Sequence, residues 1–81
     1  MHETHILKNI FRYLAEKEKS SSRKIRKIYI SLSEFGRIGK EHFLEHYKEE
    51  AAGTRWEGLE VEVKKTATGP ELEIARIDFE K

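Results

Sequence analysis

Met1-His2-Glu3 sets several nitrogen donors side by side. The α-amino group of Met1, the backbone amide of His2 and the His2 imidazole can close adjacent chelate rings around one metal ion. The Glu3 amide can fill the remaining corner of a square plane. Such a planar, nitrogen-rich set suits Ni(II) or Cu(II) far better than Zn(II) or Mg(II). Its assembly requires loss of amide protons, so binding is expected to strengthen steeply with pH. Because His2 is bulky, the initiator Met1 is expected to stay and keep histidine second. The competing reading of His2 is a solvated side chain near a chain start. His5 follows one helical turn later and can approach the same ion, although exposed first-turn histidines are common. A second candidate is His42-x-x-x-His46, an i, i+4 pair able to meet a divalent ion from one helix face, with Glu45 and Glu49 near. No HExxH motif is present, and two solvent-facing surface histidines are the plain alternative.

Other chemistries find little support. The 81 residues contain no cysteine, which excludes disulfide frameworks, thiol nucleophiles, iron–sulfur clusters and Cys-based zinc sites, so no zinc site is expected. No glycine-rich phosphate loop, Ser/His/Asp set or isolated carboxylate dyad emerges, and the chain reads as a non-enzyme. Arg23, Lys24, Arg26 and Lys27 form a basic cluster that could touch phosphates. Glutamates on neighbouring strands can neutralise it, no aromatic stacking set accompanies it, and the net charge is only +1. A solvated strand edge is the better reading, and no nucleic-acid partner is expected. Trp56 beside Arg55 reads as a core aromatic in preference to one facing a partner.

The elements that must carry these residues follow from periodicity. Ile6, Leu7, Ile10, Phe11 and Leu14 form the apolar stripe of an amphipathic helix over residues 4–17, capped by Thr4 or Glu3 and ended by a polar break at Ser20, Ser21 and Ser22. Over residues 24–35 the period drops to two, with Ile28, Ile30 and Leu32 on one face and Lys27, Tyr29, Ser31 and Ser33 on the other, a strand with one solvated face. Gly36 and Gly39 bracket a turn. A second helix over residues 40–52 places Phe43, Leu44, Tyr47 and Ala51 on one side and stops at Gly53. Leu59, Val61 and Val63, then Leu72 and Ile74, mark two more half-buried strands. Thr, Gly and Pro between them suggest a short antiparallel connection. In the last strand the apolar phase slips to Ile77 and Phe79, which requires a bulge near Ala75 and Arg76. The expected fold is α+β, order α-β-α-β-β, with two helices on one face of a three-stranded sheet, in a single domain spanning residues 1–81. With 38% charged residues and apolar runs of only a few residues, no membrane span or signal peptide is expected, and the cytoplasm is the default address.

With Met1-His2-Glu3 leading into an amphipathic helix, the chain resembles the HypA/HybF family of nickel metallochaperones for [NiFe]-hydrogenase maturation. Ile30-Ser31-Leu32-Ser33-Glu34-Phe35 resembles the family's strand ending in Gly-Glu-Leu, with Glu34 matching and Ser33 and Phe35 substituted. Lys40-Glu41-His42-Phe43 falls on the family's Pro-Glu-Ala-Leu helix start, where Glu41 matches. Ala51-Ala52-Gly53-Thr54 and Gly58-Leu59-Glu60-Val61 resemble its Lys-Gly-Thr helix exit and Gly-x-x-Leu-x-Ile strand entry. Glu71-Leu72-Glu73-Ile74-Ala75-Arg76-Ile77-Asp78-Phe79 is similar to its last strand, phase slip included. The family's zinc domain with two CxxC motifs, normally inserted between the last two strands, is missing. Thr66-Ala67-Thr68-Gly69-Pro70 joins them directly.

The resemblance implies a nickel-binding domain alone. Ni(II) would be held through the Met1 amine, the His2 amide and imidazole and the Glu3 amide, with the Glu3 carboxylate tuning the site or a partner contact. It further implies delivery of nickel to a HypB-like GTPase or an apo-hydrogenase, with the GTPase docking on the helical side near the N-terminus. A degenerate relative that keeps the scaffold as a protein-interaction or regulatory module is the alternative.

Overall fold

The computed structural model describes residues 3–80, with side chains from residue 6 onward. Five elements follow in the order α1 (Glu3–Ser21), β1 (Ile25–Ser33), α2 (Lys40–Ala51), β2 (Glu60–Thr66) and β3 (Leu72–Phe79). They build an α+β domain with a three-stranded mixed sheet in the order β2-β1-β3. The most apolar strand takes the centre. Ile25, Ile28, Ile30 and Leu32 are all buried, and they pack with Leu7, Ile10 and Leu14 of α1 and with Phe43, Tyr47 and Ala51 of α2. Both helices therefore cover one face, as the periodicity predicts.

β1 and β2 pair in parallel, from Lys27 opposite Glu60 to Ser33 opposite Thr66. Parallel neighbours need a crossover connection, and α2 supplies it. β3 pairs with β1 antiparallel along the other edge. The expected direct connection of the last two strands is thus corrected: β2 and β3 run in opposite directions but are separated by β1. Residues 67–71 carry the chain over the end of the central strand, tied down where Glu34 N–H donates to the Thr66 carbonyl at 2.8 Å and Ser33 N–H to the Glu71 carbonyl at 3.0 Å. Two strand spacings amount to about 10 Å, which five residues span with ease. A central β1 hides its backbone and its apolar side chains from both sides, an advantage that local turn signals between β2 and β3 do not reveal.

The expected bulge is present. Tyr29 lies opposite Arg76 and Ile30 opposite Ile74, so Ala75 is the extra residue that returns Ile77 to the inner face opposite Ile28. A second register shift between Ile25 and Lys27 leaves Arg26 without a partner in the ladder and keeps Ile25 on the inner face.

α1 runs a full turn beyond the expected end at residue 17. Glu18 lies four residues after Leu14 on the same inward stripe and is 9% exposed. Its Oε2 accepts the Ile25 N–H at 2.7 Å and its Oε1 pairs with the Arg55 guanidinium. The helix closes at Ser22, which adopts φ 58 and donates its N–H to the Glu18 carbonyl at 2.9 Å. α2 ends as expected, with Ala52 leaving helical geometry and Gly53 at φ 79. Gly36 is fixed by space: a Cβ there would meet Glu71 Cγ at 2.8 Å, and Glu71 Oε2 accepts the Arg37 N–H at 2.8 Å. That clasp seats Ile38, a buried residue that lies outside any periodic stretch.

Candidate metal centre

Met1 and His2 lie outside the described residues. Glu3 opens α1, and the side chains of Glu3 and His5 are likewise outside the described set. What the structure establishes is the end of the molecule at which α1 begins. Phe11 meets Tyr47 edge-on at 5.5 Å and stacks on Trp56 at 6.3 Å, and Glu18 pairs with Arg55 just past the end of α2. The two helices therefore run side by side in the same direction. From the Phe11–Tyr47 contact, Glu3 lies eight residues back along α1 and Lys40 seven back along α2, about 12 Å and about 10 Å at a rise of 1.5 Å per residue. Both helix starts thus point to one end of the molecule.

His42 and His46 sit at that end, in the first two turns of α2. Their rings face each other with centroids 4.5 Å apart and planes tilted by 53°. His42 is exposed and His46 half-buried. The pair lies on the flank of the Phe43–Tyr47 stripe opposite Lys48, which together with Gly58 and Leu59 lines the cleft toward β2. Among the described residues no group of three or more His, Cys, Asp and Glu side chains gathers to hold a metal.

The basic cluster divides. Lys27 points from β1 onto the open face of the sheet, where its Nζ contacts Glu60 at 3.0 Å and Glu62 at 3.2 Å. Hydrogen bonds to Glu60 and then Glu62 hold its ammonium well above the usual lysine range. Arg23 is spent differently, its Nε donating to the Glu80 carbonyl at 3.0 Å. Glutamates of the neighbouring strand do neutralise Lys27, as the sequence suggests, but the strand that carries it is the central one.

Beside Lys27, the Tyr29 hydroxyl donates to Asp78 Oδ2 at 2.8 Å, and Arg76 Nε reaches Asp78 Oδ1 at 2.8 Å. Lys27 and Arg76 both lie over the Tyr29 ring, at 4.7 and 5.4 Å from its centroid. The Tyr29 hydrogen bond, then Arg76, holds the Asp78 carboxyl below its ordinary range. This network arises from the register that sets β1 against β3, and periodicity alone gave no sign of it.

Trp56 is 6% exposed and belongs to the core, with Arg55 over its ring at 4.7 Å. Its carbonyl accepts the Tyr47 hydroxyl at 3.0 Å, and burial pushes that phenol up to about 12. Along α1 and the edge of β3, an open apolar groove of about 390 Å³ is lined by Ile6, Ile10, Tyr13, Leu72 and Ile74. Among the described residues no helix is long and apolar enough to cross a membrane. No protein-family model matches the chain, and no curated protein is similar enough to count as a match.

Proposed function

We propose that this chain is a HypA-like, non-catalytic accessory protein that carries Ni(II) as cargo for maturation of a metalloenzyme of the [NiFe]-hydrogenase type. The observation that carries the reading is the donor set of Met1-His2-Glu3, which runs directly into α1. In a chain that starts at Met1, the amine, the His2 amide and imidazole and the Glu3 amide make a planar nitrogen site selective for Ni(II) or Cu(II). In this reading the Glu3 carboxylate would tune the metal or meet a partner. An accessible site there would favour transfer over storage, because ligand exchange needs access. A HypB-like GTPase or the apo-hydrogenase is the recipient in this reading.

The α-β-α-β-β order and the bulged last strand agree with the family resemblance. So does the place of the missing zinc domain. Residues 67–71 form an exposed link at one end of the sheet, and an insertion there would leave every strand pairing intact.

Isothermal titration of Ni(II) into the untagged chain tests the proposal. Binding that is abolished in His2→Ala is the expected result. Absence of binding, or undiminished binding in the variant, overturns it. An extension ahead of Met1 would consume the amine and must be avoided.

The open groove along α1 and β3, with Tyr13 at its rim, favours a second reading as a protein-interaction module without metal transfer. That reading expects partner capture to survive both His2→Ala and chelation, whereas loss under both treatments contradicts it.

A further inference from the structure

The i, i+4 pair on α2 is not used by the N-terminal nickel site, and its geometry has a chemistry of its own. Residues four apart on a helix stand one above the other on one face. Here the two imidazoles already face each other, with centroids 4.5 Å apart and planes tilted by 53° rather than stacked flat. A divalent ion bound at about 2.0–2.1 Å from each of two nitrogens in tetrahedral geometry holds those nitrogens about 3.3 Å apart. Imidazoles one turn apart on a helix, with centroids 4.5 Å apart, can present nitrogens at that spacing.

We infer that His42 and His46 form a two-imidazole site for a borderline divalent transition-metal ion, Zn(II), Cu(II) or Ni(II). Imidazole suits all three ions. Exposure of His42 leaves the outer coordination positions to water or to a ligand brought by a partner. Glu41, Glu45 and Glu49 lie within a turn of the pair along α2 and offset the positive helix start, which by itself disfavours a cation. The parallel run of α1 and α2 places this site at the end of the molecule where α1 begins.

This inference is independent of the nickel reading, and Zn(II) separates the two. A planar site built on deprotonated amides rejects Zn(II), whereas a pair of imidazoles accepts it. Zinc chloride titrated into the untagged full chain is followed by NMR of the histidine ring protons and by calorimetry. The expected result is movement of the His42 and His46 ring signals together. His42→Asn and His46→Asn should each weaken Zn(II) binding by at least about tenfold, the loss that an outer partner of a metal ligand can already cause. His2→Ala should leave it unchanged. Ring signals of His42 and His46 that stay still while Zn(II) is added to the unaltered chain overturn the site, independently of how any variant folds. Zinc binding that persists in both asparagine variants, or that disappears in His2→Ala alone, overturns it as well.

Discussion

The two faces of the sheet solve opposite problems with the same three strands. The inner face is dry: Ile28, Ile30 and Leu32 meet Leu7, Leu14 and Phe43, and position depends on shape and volume. The outer face is wet and charged, and Lys27, Tyr29, Arg76 and Asp78 satisfy one another and the glutamates of β2. A face whose charges are already paired has little left for a ligand. The metal sites proposed above are assigned to neither face but to the starts of α1 and α2.

Truncation on the dry face should produce the largest effects. Ile28→Ala or Leu14→Ala removes a fully buried side chain and is expected to cost about 2–5 kcal/mol, read as a shift in the urea midpoint. A cost near zero would mean that the inner face is not the stabilising one. Next comes the one charged side chain that intrudes on this interior among the described residues. Glu18→Ala frees the Ile25 N–H and strands Arg55, and should cost about 1–3 kcal/mol. Glu18→Gln keeps an acceptor for Ile25 and should cost less. Equal losses would remove the hydrogen bond from the explanation.

Tyr47 keeps a polar group on the dry side, its ring in the core and its hydroxyl on the buried Trp56 carbonyl. Its folded pKa of about 12 lies above the unfolded value of about 10. The neutral phenol is favoured by folding, so the associated stability is complete below pH about 10 and is lost as pH rises toward about 12. Alkaline melts of the native chain and Tyr47→Phe should differ most at neutral pH and converge as that window is crossed. A constant gap across the range would contradict the burial of a neutral phenol.

The smallest effects belong to the wet face. Asp78 has a depressed folded pKa, so its contribution is present above the unfolded value of about 3.9 and fades as pH falls through the folded one. Asp78→Asn should lower the melting midpoint by less than any core variant at pH about 7, with the gap closing in acid. An effect as large as that of Ile28→Ala would erase the distinction between the faces.

Much of the dry face was legible in the sequence, because a strict period of two in β1 and the 3.6-residue period of both helices report which side chains must hide together. The bulge at Ala75 was legible for the same reason, as a slip in phase that only an extra residue can repair. Strand order was less accessible. Nothing between Lys65 and Pro70 says whether the next strand pairs with β2 or passes beyond β1, since that choice depends on covering both edges of the most apolar strand. Glu18 did leave a sign, at the next i+4 position after Ile10 and Leu14, but a carboxylate on an apolar stripe declares its role only when Ile25 and Arg55 are in place. Tyr29 and Asp78 are brought together by register across 49 residues, beyond the reach of local pattern. At the candidate centre, the His42–His46 spacing was legible, while the nearness of the α1 and α2 starts required the parallel packing of the two helices.

Visible absorption tests the proposed planar nitrogen site for Ni(II) at Met1-His2-Glu3 most directly. Ni(II) added to the untagged chain should develop the ligand-field band of square-planar, amide-bound nickel, growing as pH rises and absent in His2→Ala. A pale octahedral spectrum that ignores pH, or a planar band that persists in the variant, would contradict it.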